Sequence, residues 1–165
     1  MGLSCWQLRL HVVRPTLHYL NLWSSAAEAL VLGTAAHESG GFVYLDQVTA
    51  QTKKDDDPAG PAYGLWQIEA ATHRDLWANF LRFHADLQMK AGSLRASWPD
   101  GEAQLVSNLA YACAVARLIY YRAKPPLPAG DDIDGLAAYW DRFYNRNPNK
   151  GTPAEWAASY REHVR

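Results

Sequence analysis

The chain has 165 residues, of which 48% are hydrophobic and 20% charged, and its formal net charge at pH 7 is −1. This length suits one domain with its own core, and the composition excludes an intrinsically disordered chain. The lack of a net positive charge disfavours a nucleic acid or an anionic membrane as the partner. We therefore expect residues 1–165 to form a single globular domain.

The termini and the cysteines bear on where the protein acts. Residues 1–10 do not form the uninterrupted apolar stretch of a signal peptide, because Gln7 and Arg9 interrupt it. No segment reaches the roughly 20 apolar residues that a membrane span needs. The two cysteines, Cys5 and Cys113, do not suggest a disulfide framework. We expect synthesis in the cytoplasm without membrane insertion.

The first predicted helices come before residue 40. A short helical turn runs from Arg14 to Leu20, and Ser25 followed by Glu28 resembles a capping box. This pattern predicts a helix from Ser25 to Ser39 that stops at the glycines that follow. Residues 46–61 are polar and aperiodic, which predicts an exposed loop. The three consecutive aspartates within it lack the alternating spacing of a calcium loop.

Later segments are again mostly helical. Residues alternate from Tyr63 to Glu69, which predicts a short strand with Gln67 and Glu69 on the same side. Thr72 and Asp75 resemble a capping box, which predicts the start of another helix. Two further helices are predicted from Glu102 to Arg122 and from Asp131 to Phe143, and a last helix begins at Thr152-Pro153-Ala154-Glu155. The sequence therefore predicts a mainly α protein with one small β element.

A carboxylate occupies the last turn of the predicted helix 25–39. Apolar or small residues recur along one face of this helix, and Glu38 takes the next position on that face. Partial burial and the negative end of the helix dipole both disfavour the ionised form, so we expect a raised pKa for Glu38. Such an acid can donate its proton to a leaving group, which predicts a general acid. The alternatives are a surface Glu at a fraying helix end, or one held by an arginine.

Four stretches resemble the lysozyme-like superfamily, in particular the goose-type lysozymes and soluble lytic transglycosylases of phage or prophage type. In that family a catalytic Glu-Ser closes a helix, as Glu38-Ser39 does here, and a Gly-Leu-Met-Gln type motif follows, matched by Gly64-Leu65-Trp66-Gln67. Asn108 resembles an Asn of the family's third helix region. Tyr144-Asn145 resembles the late Tyr-Asn motif, although the usual Ala-Gly does not follow it. The resemblance implies an α+β lysozyme-like fold, a helical domain with one small β-hairpin element beside a cleft.

The resemblance also implies an activity, which is cleavage of the β-1,4 bond between MurNAc and GlcNAc in peptidoglycan glycan strands, without a cofactor or a metal ion. Glu38 would be the general acid/base. Substrate contacts would come from Ser39, Gln67, Tyr144 and Asn145. Retaining and inverting glycosidases use a second carboxylate, which would be Glu69, with Asp46 and Asp75 as weaker candidates. Lytic transglycosylases use a single Glu, so the sequence leaves hydrolysis and transglycosylation open.

Other functions stay open beside this one. A virion structural or peptidoglycan-binding protein could keep the fold without the chemistry, as the atypical residues after Asn145 and the missing export signal suggest. A cysteine peptidase using Cys113 is disfavoured, because a nucleophile should be partly exposed. His37 lacks the second histidine of a zinc motif, since residue 41 is glycine. An enzyme without a signal peptide would reach the cell wall through a holin pore, as an endolysin, or be carried in the virion.

Overall fold

The computed structural model describes residues 2–45, 61–145 and 151–164. Within these ranges the protein is mainly helical, with one small antiparallel sheet, as the sequence predicts. The α-helices are α1 (Cys5–Leu8), α2 (Arg14–Tyr19), α3 (Ser25–Glu38), α4 (Ala70–Asn79), α5 (Ala85–Ser93), α6 (Gln104–Ser107), α7 (Leu109–Tyr121), α8 (Ile133–Phe143) and α9 (Pro153–His163). Most of the predicted polar loop lies outside the described residues.

The first helical segment is longer than predicted. A π-helical stretch, Arg9–Val13, joins α1 to α2, and Pro15 follows it in the first turn of α2. Proline has no N–H to donate and its ring crowds the carbonyl four residues earlier. The wider π-helical turn accommodates this defect, so the chain continues as a helix where the sequence predicted only a short turn.

Helix α3 begins with a different cap from the one predicted. The N-cap is Ser24, whose side-chain oxygen accepts a backbone N–H of the first turn at 3.0 Å. Glu28 does not complete a capping box, because its carboxylate accepts two hydrogen bonds from the Arg14 guanidinium and one from Trp23 Nε1, all at 2.8 Å. Glu28 therefore joins α3 to the preceding helix.

The ion pair between Glu28 and Arg14 makes the stability of the fold depend on pH. Burial opposes ionisation of Glu28, but the hydrogen bonds from Arg14 and Trp23 outweigh it and hold the pKa of Glu28 below its usual value. A lowered native pKa stabilises the fold above the unfolded pKa, and this contribution is lost as the pH falls through the native value.

We expect Glu28→Gln to lower the free energy of unfolding at pH 7 by about 1–2 kcal/mol. The loss is modest because Arg14 is exposed enough to return to water and glutamine can still accept from Trp23. Urea unfolding at neutral pH and at about pH 3 should show the difference between variant and wild type shrinking in acid. A difference that stays constant with pH would contradict this account.

The predicted strand is instead a tight hairpin. Strands β1 (Ala62–Tyr63) and β2 (Ile68–Glu69) pair antiparallel, with Ala62 opposite Glu69. Gly64 and Gln67, both at positive φ, turn the chain between them. Because of this turn, Trp66 points into the core rather than alternating across a strand, and its Nε1 donates to the carbonyl of Val31 in α3 at 3.0 Å. The alternation of sides predicted for residues 63–69 is wrong.

The later helices differ from prediction mainly at their ends. Helix α4 begins before the predicted Thr72 cap, and the predicted helix from Glu102 is interrupted at Asn108. The side-chain oxygen of Asn108 accepts the backbone N–H of Tyr111 at 3.1 Å and caps α7. The predicted start of α9 at Thr152-Pro153 is confirmed, and Thr152 and Glu155 form a capping box there.

Helix α7 lies at the centre of the core, in contact with α2, α3, α4 and α5. Its side chains from Tyr111 to Tyr120 are all buried. Cys113 is among them and burial raises the pKa of its thiol, as expected for a packing residue rather than a nucleophile. Cys5 and Cys113 are not joined in a disulfide bond. None of the helices in the described ranges has the length and apolar character required to cross a bilayer.

Candidate functional site

Helix α3 ends as the sequence predicts, with Glu38 as its last residue. Gly40 adopts a φ of +62°, and the N–H of Gly41 donates to the carbonyl of Ala36 at 2.8 Å. A left-handed residue after the helix is the usual way to satisfy its last carbonyls, and glycine adopts it without strain. Glu38 is half-buried at this point.

The Glu38 carboxylate is oriented by a tryptophan from a distant part of the chain. The Nε1–H of Trp140, in helix α8, donates to Oε1 of Glu38 at 3.1 Å. Trp140 itself is fully buried. The sequence does not predict this contact. The available signal is general, because a buried indole N–H usually requires an acceptor.

Two stacked tyrosines lie close to Glu38. The rings of Tyr120 and Tyr144 have centroids 5.1 Å apart. Burial raises the pKa of both phenols well above the usual value, and the neighbouring Glu38 charge raises them further. Both hydroxyls therefore stay protonated at all physiological pH values. The surroundings of Glu38 include two neutral phenols, of which Tyr120 is buried and Tyr144 is half-buried.

Internal hydrogen bonds hold both phenols. The Thr34 hydroxyl donates to the Leu30 carbonyl at 2.8 Å, so the Tyr120 hydroxyl must be the donor in its 2.6 Å bond to Thr34. The Tyr144 hydroxyl donates to the Trp66 carbonyl at 2.6 Å. Tyr144 thus lies beside Glu38, but its hydroxyl holds the hairpin turn instead of being free for a sugar. The substrate role predicted for Tyr144 stays a prediction.

Ser39 is not a substrate contact. Its side chain is fully buried, and its hydroxyl donates to the Ala35 carbonyl at 2.6 Å and accepts the N–H of Phe42 at 2.9 Å. Both bonds satisfy backbone groups at the end of α3. The residue therefore closes the helix behind Glu38 and cannot reach a ligand.

The other predicted site residues lie in the hairpin and just after the end of α8. Gln67 donates through Nε2 to the Gly64 carbonyl at 2.8 Å and is half-buried. Asn145 donates through Nδ2 to Asp141 Oδ1 and to the Gly151 carbonyl, each at 3.2 Å. Glu69 ends β2 with an exposed side chain. The substrate roles of these three residues stay predictions.

Of the two weaker candidates for a second carboxylate, only Asp75 lies within the described residues. Asp75 lies on α4 and forms an ion pair with Arg122, with Oδ2 2.7 Å from Nη1. Asp46 lies outside the described residues.

His37 packs edge-on against Trp140, and burial lowers its pKa, so it is neutral at pH 7. Within the described ranges, no group of three His, Cys, Asp or Glu side chains could hold a metal ion.

Comparisons with protein-family models, with curated proteins and with solved structures find no match to this chain. The interpretation of the site therefore depends on its own geometry and on the sequence motifs.

Proposed function

We propose that the protein has a lysozyme-like fold and cleaves the glycan strands of peptidoglycan at the β-1,4 bond, with Glu38 as general acid/base. One observation carries the proposal: the half-buried Glu38 carboxylate ends its helix, receives the Trp140 N–H and lies beside the neutral phenols of Tyr120 and Tyr144. An acid oriented by a fixed donor in largely aromatic surroundings is suited to proton transfer.

The reaction would begin when protonated Glu38 gives its proton to the glycosidic oxygen. The bond from this oxygen to the anomeric carbon then breaks, and positive charge develops on the sugar ring. The resulting carboxylate then removes a proton from water in hydrolysis, or from the sugar's own 6-hydroxyl in transglycosylation, and the oxygen that loses this proton bonds to the anomeric carbon. Trp140 keeps Oε1 in one orientation through both steps, which lowers the entropy lost in reaching the transition state.

The site favours the mechanism with a single glutamate. Glu69 is exposed at the end of β2 and Asp75 is engaged by Arg122, while Asp46 lies outside the described residues. We therefore propose transglycosylase-type chemistry, with hydrolysis assisted by Glu69 as the alternative outcome. In either case a holin pore or the virion would deliver the enzyme to the cell wall.

Digestion of purified peptidoglycan tests the proposal. Protein incubated with insoluble sacculi should release soluble muropeptides, whose termini can be identified by mass spectrometry. Anhydro-muropeptides would support transglycosylation, and reducing ends would support hydrolysis. Absence of either product between about pH 4 and pH 8, the range in which a glutamate acid operates, would refute the enzymatic proposal.

Trp140→Phe should lower the rate of muropeptide release by about tenfold to a hundredfold, the value of one hydrogen bond to a charged group. Phenylalanine keeps most of the packing but cannot donate to Glu38. Trp156→Phe is the matched control, because Trp156 is equally buried and its Nε1 has no hydrogen-bond partner within the described part of the chain. Equal losses in the two variants would show that packing, and not the hydrogen bond, is responsible.

A second candidate is a non-catalytic peptidoglycan-binding or virion structural protein. This candidate is favoured because the hydroxyls of Ser39 and Tyr144 form hydrogen bonds within the protein. Fewer of the predicted substrate-binding groups are then available to contact a sugar. Such a protein would sediment with insoluble sacculi and release nothing from them. Measurable turnover that depends on Glu38 would exclude it.

A further inference from the structure

A second feature of the molecule is a cavity of about 490 Å³ at the C-terminal end of α7. This basic cavity is lined by Arg117, Arg122, Lys124 and His84, together with aromatic rings that include Tyr121. No aspartate or glutamate is among the described residues that line it. Its volume falls in the range of about 300–1,000 Å³ that is typical of small-molecule sites.

Arg117 is the most informative residue of the basic cavity. It is only 7% exposed, and its Nε donates to the Leu22 carbonyl at 3.1 Å. The guanidinium carbon lies 5.4 Å from the centre of the Tyr121 ring. Burial lowers the pKa of Arg117, and no carboxylate within the described ranges forms an ion pair with it. A buried charge without a counter-ion is unfavourable unless a partner supplies one.

Arg122 adds a second unused donor. Its Nη1 is paired with Asp75, but its Nη2 is buried and has no hydrogen-bond partner in the described part of the molecule. Lys124 is exposed at the rim. Among the described residues, the cavity thus has three cationic side chains, of which Arg122 alone is paired with a carboxylate. A purely structural role for Arg117, which is the hydrogen bond to the Leu22 carbonyl, uses a single N–H of its guanidinium. This role does not explain the excess of positive charge in the cavity.

We propose that the basic cavity binds a small organic oxyanion, a phosphate or carboxylate group attached to a body about the size of one sugar. The guanidinium groups of Arg117 and Arg122 would contact the anionic oxygens, since arginine donors suit carboxylate and phosphate oxygens. The Tyr121 ring would face the rest of the ligand, and Lys124 would add charge at the opening. Tyr120 is among the described residues that line this cavity and Glu38 is not, and the inference does not depend on the proposed glycan cleavage.

Side-chain NMR of the arginine Nε–Hε groups tests the proposal directly. The probes are inorganic phosphate, glucose 6-phosphate, glucuronate and neutral glucose, each titrated into the wild-type protein at physiological salt. We expect a saturable shift of the Arg117 resonance with at least one anion and none with glucose. A phosphate preference and a carboxylate preference are distinguished by comparing glucose 6-phosphate with glucuronate. The absence of a saturable shift with every anion, or an equal response to glucose, overturns the proposal.

Variants identify the residues responsible. Arg117→Gln should weaken the binding of the best anion by about tenfold or more, and Lys124→Gln by about threefold, as expected for losing a buried and an exposed charge contact. The control is Arg161→Gln, because Arg161 is an exposed, paired arginine that does not line the cavity. Equal weakening in all three variants would indicate a non-specific charge effect and overturn the assignment. If circular dichroism shows that Arg117→Gln does not fold, Lys124→Gln and the wild-type titrations decide the question.

Discussion

Glu38→Gln should reduce the release of muropeptides from peptidoglycan by about a thousandfold or more, the range lost when general acid–base catalysis is removed. An amide cannot donate a proton to the glycosidic oxygen. It can still accept the Trp140 hydrogen bond through its oxygen, so the packing of α3 against α8 is retained. We therefore expect the melting temperature to change by no more than about 2 °C. The rate of release and the thermal unfolding curve are measured on the same preparation.

Two glutamate variants serve as controls for this result. Glu162→Gln removes a carboxylate that is 74% exposed on α9, and it should leave activity unchanged. Glu69→Gln separates the mechanisms, because a loss as large as that of Glu38→Gln would indicate a second catalytic carboxylate. Retained activity in Glu69→Gln would support the single-glutamate mechanism. Retained activity in Glu38→Gln would refute the assignment of the acid.

Gly64→Ala should lower the free energy of unfolding by about 3 kcal/mol or more, through the sum of backbone strain and overpacking. Gly64 has a φ of +72°, where an alanine is strained, and a Cβ at this position would collide with the Leu105 carbonyl oxygen of α6. A backbone carbonyl cannot move away from the added Cβ as the end of a flexible side chain could. For a chain of this size the melting temperature should fall by about 6–12 °C.

Gly101→Ala is the matched control, because it separates strain from collision. Gly101 has a similar φ of +56°, but a Cβ there would meet nothing within 4 Å. This variant should therefore lose only about 1–2 kcal/mol, the strain contribution. Urea unfolding of both variants gives the two values. Equal losses would show that the hairpin tip relaxes away from α6 and that its close packing is not required for stability.

The same hairpin variant links the fold to the proposed function. The Gly64–Gln67 turn carries Trp66, whose carbonyl accepts the Tyr144 hydroxyl beside Glu38. If the turn moves, this hydrogen bond is disturbed, and Gly64→Ala should lower muropeptide release in the fraction of protein that stays folded. Activity normalised to folded protein, measured by near-ultraviolet circular dichroism, checks this expectation.

Local signals in the sequence determined the helical class of the protein and the position of Glu38 at the end of α3. The glycines after Ser39 and the capping box of α9 act within one or two turns of the chain, so their effects can be predicted without the rest of the molecule. Local signals failed at Ser25 and at residues 63–69. At these places Glu28 is held by Arg14 and the hairpin tip is drawn into the core.

Only the tertiary structure decided which groups surround Glu38. Trp140 is 102 residues away along the chain, Tyr144 follows it directly after α8, and Tyr120 comes from α7. Likewise, packing alone shows that the hydroxyls of Ser39 and Tyr144 are used internally and that Arg117 is buried without a carboxylate partner among the described residues. Such partners depend on how helices distant in sequence pack together, and neither residue type nor local spacing encodes that arrangement.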